Sequence, residues 1–213
     1  MGKVRFSIAM SVDGFLAGPG QSREEPLGKG GEQLHEWLLA LEAFRRPHGM
    51  EGGVVDESTP VVEAYQANVG AYLMGRNMFG GGPGPWGDDP WTGWWGDDPP
   101  FHDPVFVVTH HAREPLVLQG GTTFTFVTDG VEAALPQARA AAGDADVLIS
   151  GGGSIVGQCL EAGLVDEFTV SIVPVLLGSG TRLFPDRARA AGVERIAQIE
   201  APGVTHVTYR VAG

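Results

Sequence analysis

The sequence predicts an α/β protein, a single three-layer α/β/α domain built around a mixed, mostly parallel sheet. Strand-like and helix-like segments alternate along most of the chain, which is typical of a parallel sheet with helices on both faces. Three consecutive glycines join a strand pattern to a helix pattern at residues 147–163. Near the C-terminus two strand patterns follow each other without a helix, so we expect the strand direction to change there.

Hydrophobic spacing predicts the elements of the first half. Residues 4–10 alternate as a strand and lead into a glycine-rich loop. Residues 32–44 place apolar side chains at helical spacing, which predicts one amphipathic helix. A second helix is predicted from Pro60 to about residue 68, because Ser58 or Thr59 can cap it and proline suits its first turn.

The same alternation continues through the second half. Strands are predicted at 71–74, 105–109, 124–128, 147–150, 168–173 and 206–211, and helices at 154–162 and from a cap at Asp129 to about Ala142. Pro136 lies inside the latter helix and should kink it or shift its start.

An insertion at about residues 80–104 has no periodic pattern. Glycine, proline and aspartate dominate it, WGDDP occurs twice, and four tryptophans lie within ten residues, at 86, 91, 94 and 95. Because such rings bury large apolar areas, the loop should fold onto its own domain, a partner subunit or a ligand. Loops of this length are usually functional or disordered, and the tryptophans favour the first.

Composition restricts the classes of function. The length suits one domain, residues 1–213, and 14 basic against 26 acidic residues give a net charge of -12, which argues against nucleic-acid or anionic-membrane partners. Cys159 is the only cysteine, and neither a signal peptide nor an apolar run of membrane-spanning length is present. The six histidines lack metal-ligand spacing. We expect a cytoplasmic protein without a metal site.

The three glycines at 151–153 could bind an anion or could allow a helix to pack closely on a strand. A strand that ends in bare backbone beside a helix N-terminus presents unpaired amides and partial positive charge, which favours a phosphate. The spacing Gly151, Gly153, Gly157 differs from the Rossmann fingerprint, and no lysine follows as in a P-loop. The alternative is a tight turn that packs helix on strand.

Polar residues also follow two other predicted strands. They are Gly75, Arg76 and Asn77 after the first, and Thr109, His110 and His111 after the second. The planar guanidinium of Arg76 can bind a phosphate, although a lone arginine is more often a surface cation. Three polar strand ends beside one glycine turn predict a dinucleotide cleft.

These motifs together resemble the dihydrofolate reductase superfamily. Its order is matched by SVDGFLA after the first strand, MGRNMF and VVTHH after later strands, and GGGSIVGQCLEAGLVDEFTVSIVPVLLGSGTRLF near the end. The most similar branch is the reductase domain of bifunctional riboflavin-biosynthesis enzymes with its stand-alone bacterial relatives. The resemblance covers essentially the whole chain; its last motif is the most specific part and the tryptophan-rich insertion the least general.

The resemblance implies a dihydrofolate reductase-like fold and an NADPH-dependent reductase. Ala9 and Leu16 would flank the nicotinamide, and Arg76 would be the main source of preference for NADPH over NADH. Gly75, Asn77, Thr109, His110 and His111 would meet the adenosine 2'-phosphate and ribose beside Arg76, and Gly151, Gly152, Gly153, Ser154, Ile155 and Val156 would cradle the pyrophosphate.

The implied substrate is a small C=O or C=N compound, as in the pyrimidine reductase of riboflavin biosynthesis, the 5-amino-6-(5-phosphoribosylamino)uracil reductase. Trp37 and Arg182 are the candidate substrate-binding residues. True dihydrofolate reductases carry a carboxylate three residues before a tryptophan of the first helix, and this chain has Leu34 there. Folate reduction and a nucleotide-binding or interaction protein without turnover are therefore the alternatives.

Two carboxylates are candidate catalytic residues. Asp13 could organise its loop by capping a turn, or orient substrate. Glu167, at the start of a strand, could be an acid or a solvated carboxylate. Arg182 could bind an anionic substrate tail or pair with an acid. The apolar run VSIVPVLL could form the surface of a homodimer or lie in the core.

Overall fold

The structure is a computed structural model that describes residues 2–82, 84–88, 90–184 and 192–212. The strands are β1 (Val4–Ser11), β2 (Phe15–Ala17), β3 (Val69–Gly75), β4 (Pro104–Val108), β5 (Leu116–Val117), β6 (Thr123–Val127), β7 (Asp146–Gly151), β8 (Glu167–Val173), β9 (Thr181–Arg182), β10 (Val193–Ala201) and β11 (Val204–Val211). The helices are α1 (Glu36–Ala40), α2 (Glu42–Arg45), α3 (Thr59–Gln66), α4 (Arg76–Phe79), α5 (Val131–Ala142) and α6 (Gly153–Glu161). Short 3-10 turns occupy Gly31–His35, Arg46–His48 and Gln119–Gly121.

The main sheet has nine strands in the order β10-β11-β8-β1-β7-β3-β4-β6-β5. The six central strands from β8 to β6 are parallel, whereas β11 is antiparallel to β8 and to β10, and β5 is antiparallel to β6. Strands β2 and β9 form a separate antiparallel pair. The predicted mixed, mostly parallel sheet is confirmed, including the change of direction near the C-terminus.

Helices α5 and α6 cover one face of the sheet. Alternate residues of β1, β3 and β7 point into this layer, where they meet the alanine-rich side of α5 and the apolar side of α6. Pro136 lies inside α5, which begins at Val131 after a Gly130 cap. Because Pro136 is exposed, the carbonyl that it leaves unpaired one turn earlier can bond to water, and the helix continues.

The opposite face is covered by α1–α3 and by the insertion. The single helix predicted at 32–44 is wrong, because Leu41 adopts an extended conformation and separates α1 from α2. Val54 lies beside this break: its amide donates to the carbonyl of Ala40 at 2.8 Å and its carbonyl accepts from the amide of Glu42 at 2.9 Å. Residues 46–57 thus fold back, and Val54 supplies hydrogen bonds to the backbone at the point where the helix is interrupted.

The insertion folds onto its own domain. The indole N–H groups of Trp86, Trp91 and Trp94 donate to the backbone carbonyls of His111, Phe79 and Met78 at 2.9, 2.9 and 3.0 Å. Trp86, Trp91 and Trp95 pack against a buried cluster formed by α4 and strands β3, β4 and β6. Residues 83 and 89 of the insertion lie outside the described residues.

Strand β10, which the sequence analysis did not predict, forms the edge of the main sheet beside β11 and is mostly exposed.

Among the described residues, no helix combines the length and hydropathy needed to cross a bilayer.

Candidate functional site

A cavity of about 1220 Å³ runs over the sheet between α1–α3 and the insertion, and reaches the carboxyl ends of β3, β4 and β7. Its floor includes Ser7 and Ala9 of β1, Ser150 of β7 and Ser171 of β8. The expected cofactor and substrate residues that line it are Ala9, Leu16, Trp37, Gly75, Arg76, Asn77, Thr109, His110, His111, Gly151, Gly152, Gly153, Ser154 and Ile155. Its volume is sufficient for a dinucleotide together with a small molecule.

The glycine turn packs closely against β9 and also lies where it could bind an anion. Gly152 adopts φ 94° and ψ 109° immediately before α6, a backbone conformation that favours glycine. A Cβ on Gly153 would collide with the carbonyl oxygen of Arg182, so this glycine allows β9 to pack against the helix. The amides of Ile155 and Val156 donate to the carbonyl of Gly152 at 2.9 and 3.1 Å, whereas those of Gly153 and Ser154 precede these hydrogen bonds and belong to residues that line the cavity, where they suit an anion.

Arg76 lies at the strand-end side of the cavity, against the insertion. Its Nε donates to the carbonyl of Gly80 at 3.0 Å, and its guanidinium lies 3.1 Å from the centroid of the Trp86 ring. Its Nη1 is buried and has no hydrogen-bond partner among the described residues. Burial, and secondarily the charge of Arg113, lowers the pKa of Arg76. A buried cationic donor with free capacity beside a cavity is suited to an anionic ligand.

Arg113 is a second cation at this place that the sequence analysis missed. Its guanidinium lies 4.9 Å from the centroid of Trp86 and 5.0 Å from that of Phe126, and its Nη1 donates to the carbonyl of Trp91. The signal that could have indicated it is a cation shortly after the strand that ends in Thr109. The two arginines thus lie against one indole ring; Arg76 lines the cavity and Arg113 lies behind it.

The loop after β4 contributes smaller polar groups. Thr109 is buried, and its Oγ1 accepts a hydrogen bond from the amide of His111 at 3.2 Å. His110 is exposed and His111 is half-buried, and both line the cavity. Asn77 is exposed at the start of α4. These groups lie where the sequence predicts them, at strand ends beside Arg76.

Val156 and Glu167 do not line the cavity, so their positions support neither the pyrophosphate role of Val156 nor the acid alternative for Glu167. Val156 is fully buried among the core residues on the α6 side of the sheet, because it lies on the inward face of that helix. Glu167 pairs with Lys3, its Oε2 lying 2.8 Å from Nζ, and is in register with Arg5 at the amino end of β8. Its carboxylate is therefore committed to a surface ion pair outside the cavity.

Asp13 organises the turn after β1. Its Oδ1 accepts from Ser11 Oγ at 2.6 Å and from the amide of Leu177 at 3.1 Å, and its Oδ2 accepts from the amide of Gly178 at 2.7 Å. The Ser11 hydrogen bond is the main reason why the pKa of Asp13 is lowered. Asp13 does not line the cavity, so the arrangement favours its loop-organising role over contact with substrate.

Arg182 also lies outside the cavity wall. Its Nη1 donates to the carbonyl of Asp13 at 3.4 Å, and its guanidinium lies 4.6 Å from the centroid of Phe15. It forms no salt bridge within the described part of the chain. Its expected contact with a substrate anion is therefore not supported by its position, whereas its neighbour Thr181 does line the cavity.

Trp37 and its neighbours form the wall on the α1 side. The indole N–H of Trp37 donates to the carbonyl of Leu34 at 3.0 Å, and its ring meets the His206 ring edge-on at 4.8 Å. Leu34 itself is fully buried, so it offers no carboxylate to the cleft. His35 lines the cavity, and burial lowers its pKa.

The floor contains hydroxyl groups that the sequence analysis also missed. Ser171 is 1% exposed and its Oγ lies 2.8 Å from His206 Nδ1; His206 Nε2 in turn lies 2.9 Å from Ser58 Oγ. The signal in the sequence is the polar alternation Thr169, Ser171 within an otherwise apolar strand. Ser58 occupies the N-cap position of α3, as predicted, but its hydroxyl makes no capping hydrogen bond to the helix and contacts His206 instead.

Tyr65 and Tyr72 extend the hydroxyl-rich floor towards Asp103. Burial raises the pKa of Tyr72 to about 12, and burial also raises the pKa of Tyr65. Desolvation raises the pKa of Asp103, which lines the cavity just before β4. Within the described ranges, no three histidine, cysteine or acidic side chains come close enough together to hold a metal ion.

The sheet order and the cleft define a protein of dihydrofolate reductase-like fold. The structure of Enterococcus faecalis dihydrofolate reductase, solved with NADP(H), superposes with a TM-score of 0.51 at 13% identity, covering 99% of this chain and 97% of that one. A putative riboflavin biosynthesis protein from Shewanella sp. PV-4 superposes with a TM-score of 0.62 at 22% identity and covers 99% of both chains.

The family model described as RibD C-terminal domain matches residues 2–207, and the chain belongs to this family. Among curated proteins, the uncharacterised protein YyaP of Bacillus subtilis is 35% identical over 69 residues, which is 32% of this chain. The matched stretch spans 37% of that relative's length.

Proposed function

We propose that this chain is an NADPH-dependent reductase that transfers a hydride to a C=O or C=N group of a small molecule. The observation that carries the proposal is that one cavity is lined by the glycine turn before α6, by Arg76 and by Ala9 of β1. Membership of the RibD C-terminal domain family supports a reductase. The fold shared with a dihydrofolate reductase that was solved with NADP(H) supports the cofactor.

The residues present fit a phosphorylated dinucleotide. The amides of residues 152–154 would hold the pyrophosphate, and Arg76, with its free Nη1, would hold the 2'-phosphate with Arg113 nearby. Ala9 and Leu16 would flank the nicotinamide, which supplies the hydride when bound. The chain itself contributes orientation and a largely apolar cleft from which water is excluded.

Two narrower functions of relatives fit less well. Folate reduction would use a carboxylate where this chain has the buried Leu34. The 5-amino-6-(5-phosphoribosylamino)uracil reductase acts, as its name states, on a phosphoribosyl compound, and the phosphate of such a compound is best bound by a cation at the substrate end. The cytoplasmic location and the homodimer remain predictions from the sequence; Val170 and Val173 of the apolar run are buried within this chain.

The first test is thermal unfolding with NADPH, with NADH and without ligand. A ligand that binds only the native state raises stability by about 2.7 kcal/mol at a hundredfold excess over its dissociation constant. We expect NADPH to raise Tm more than NADH. In Arg76→Ala, the affinity for NADPH should fall about 10- to 100-fold, as expected for a lost charge-assisted contact, while the affinity for NADH changes much less.

Arg195→Ala, which removes an exposed arginine on β10, is the control and should leave both affinities unchanged. Equal losses for NADPH and NADH in Arg76→Ala would contradict the assignment of Arg76 to the 2'-phosphate. No rise of Tm with either nucleotide would contradict the reductase itself. Tight NADPH binding without oxidation by any carbonyl or imine compound would favour a binding protein.

A further inference from the structure

The charged side chains that line the cavity lie beside the two neighbouring strands β3 and β4. Arg76 follows the carboxyl end of β3, whereas Asp103 precedes the amino end of the neighbouring β4. These are the only two lysine, arginine, aspartate or glutamate side chains among the described residues that line the cavity. Ser7 of β1, Ser171 of β8 and Tyr72 of β3 also line the cavity, and each carries a hydroxyl group.

Arg5 of β1 is already paired with a carboxylate. Its Nε lies 2.7 Å from Asp146 Oδ2, and its Nη1 donates to the carbonyl of Tyr65 at 3.2 Å. Among the described residues, Arg76 is the one lysine or arginine that lines the cavity, and the proposed function assigns it to the cofactor, so a phosphate on the substrate would lose its hydration without gaining a cation of its own. An uncharged substrate with hydrogen-bonding groups avoids this penalty.

Ser171 is the floor hydroxyl whose orientation is fixed most firmly. It lies beside Ala9 in the register of β1 and β8, next to the proposed place of the nicotinamide. His206 of β11 holds its Oγ from behind, and Ser58 holds the other ring nitrogen of His206. His206 is 1% exposed and does not line the cavity, so its two hydroxyl partners are not exchanged freely for water, whereas Ser171, although also 1% exposed, lines the cavity floor.

The protonation state of His206 determines whether the Ser171 hydroxyl can donate a hydrogen bond into the cleft. Burial lowers the pKa of His206 to about 4, so the ring is neutral near pH 7 and carries one proton. When that proton is on Nδ1, the ring donates to Ser171 Oγ and accepts from Ser58 through Nε2. The hydroxyl hydrogen of Ser171 is then free to donate into the cleft.

We propose that the substrate is an uncharged carbonyl or imine compound, and that Ser171 donates a hydrogen bond to the oxygen or nitrogen of its reducible bond. His206 is the positioning residue for that hydroxyl. This inference rests on the proposed reductase function. As hydride adds to the carbon, the π electron pair moves to the heteroatom, which takes its proton from water; the Ser171 hydrogen bond stabilises the charge that develops there.

The experiment compares NADPH oxidation with matched pairs of compounds, such as glyceraldehyde with glyceraldehyde 3-phosphate, and uncharged cyclic imines and ketones with their phosphorylated forms. We expect uncharged members to give at least tenfold higher kcat/KM. On the best of them, Ser171→Ala should lower kcat/KM tenfold or more, mainly through kcat. A higher kcat/KM for the phosphorylated member of a pair would overturn the proposal. The absence of any turnover by a protein whose Tm is raised by NADPH would overturn it as well.

Thr169→Ala is the matched control for Ser171→Ala. Thr169 lies two residues earlier on the same strand, and its Oγ1 is 2.9 Å from Thr208 Oγ1 on β11, but it does not line the cavity. It should lose comparable stability and keep kcat/KM within about twofold. Equal effects of the two substitutions on kcat/KM would show a structural role only and overturn the assignment of Ser171.

A second readout does not depend on turnover. The ¹⁵N NMR signals of His206, assigned by their loss in His206→Gln, should show the neutral ring with the proton on Nδ1 at pH 7. A proton on Nε2 in the NADPH-bound protein would make Ser171 the donor to His206 and would overturn its role as donor to substrate. Failure of NADPH to raise Tm would instead contradict the proposed function, so the two failures are distinguishable.

Discussion

His206 shows, at the residue scale, how a buried polar group is retained in an apolar layer. Its two ring nitrogens are both used by hydroxyl groups from other elements, Ser171 on β8 and Ser58 before α3. The Trp37 ring closes over its edge. Protonation would add a buried charge where no carboxylate of the described residues accepts a hydrogen bond from the ring, so the neutral ring is the stable form.

This arrangement predicts a loss of stability in mild acid. The pKa of His206 is lowered from 6.5 to about 4 by burial, against a smaller opposing effect of Asp56. Between these values the unfolded chain binds the proton and the native protein does not. The stability that neutral His206 contributes is therefore fully present above pH 6.5 and is lost as the pH decreases towards 4. The shift corresponds to roughly 3 kcal/mol.

The measurement is urea unfolding of the wild type and of His206→Gln between pH 7 and pH 4.5. The variant should lose less stability over this interval, whatever its stability at pH 7. Asp13, whose pKa is lowered, contributes only at lower pH, because its stabilisation is lost below its unfolded value of 3.8. Parallel pH profiles of the two proteins would contradict the assignment to His206.

At the scale of elements, the insertion packs against the sheet and forms one side of the cavity. Trp86 lies between the Arg76 guanidinium and the aromatic rings of Phe79 and Phe126. Arg76 also donates to Gly80 at the beginning of the insertion. The packing of the insertion and the position of the proposed phosphate-binding arginine are therefore coupled.

Replacing Trp86 by leucine should reduce the preference for NADPH over NADH. A cation–π contact contributes about 0.5–2 kcal/mol, so a guanidinium that is no longer held should lower the ratio of the two affinities two- to tenfold. Trp91→Leu is the control, because Trp91 packs in the same cluster but its ring carries the guanidinium of Arg23 and not that of Arg76. Nucleotide titrations of both variants check this; an equal decrease of the ratio in both would contradict the coupling.

Elements with strong local patterns could be predicted from the sequence. The strand at the N-terminus, the junction of β7 with α6 and the buried β3 carry period-two or short apolar patterns beside glycine, and these are local properties of the chain. The same holds for the positions of Arg76 and of the residues from Thr109 to His111, which directly follow such strands and line the cavity, while their role towards a cofactor stays a prediction.

The parts that were not predicted depend on partners distant in sequence. The break at Leu41 is set by Val54, which pairs with the backbone on both sides of it. Ser171 faces the cleft and is held by a residue 35 positions later. Glu167 was expected at the cleft, but the direction of β8 relative to β1 puts it at the opposite end, and one strand pattern alone does not give that direction.

At the scale of the whole molecule, a strongly acidic protein would bind an anionic cofactor. The net charge of -12 repels NADPH at long range, whereas Arg76 and Arg113 act only at short range. The Debye length is about 30 Å at 0.01 M salt and about 8 Å at 0.15 M. Added salt should therefore screen the repulsion from distant carboxylates before it screens a partly buried contact at Arg76.

We accordingly expect the association rate constant for NADPH to increase, about two- to tenfold, between 10 and 150 mM NaCl, the opposite of the trend for an attractive field. Stopped-flow fluorescence of the bound nucleotide gives both rate constants. In Arg76→Ala the association rate should show the same dependence, because the field of the whole protein is little changed, while the dissociation rate should increase at every salt concentration. An association rate that falls with salt in the wild type would mean that the two arginines dominate the potential at the cleft mouth, and long-range repulsion would then not control the entry of the cofactor.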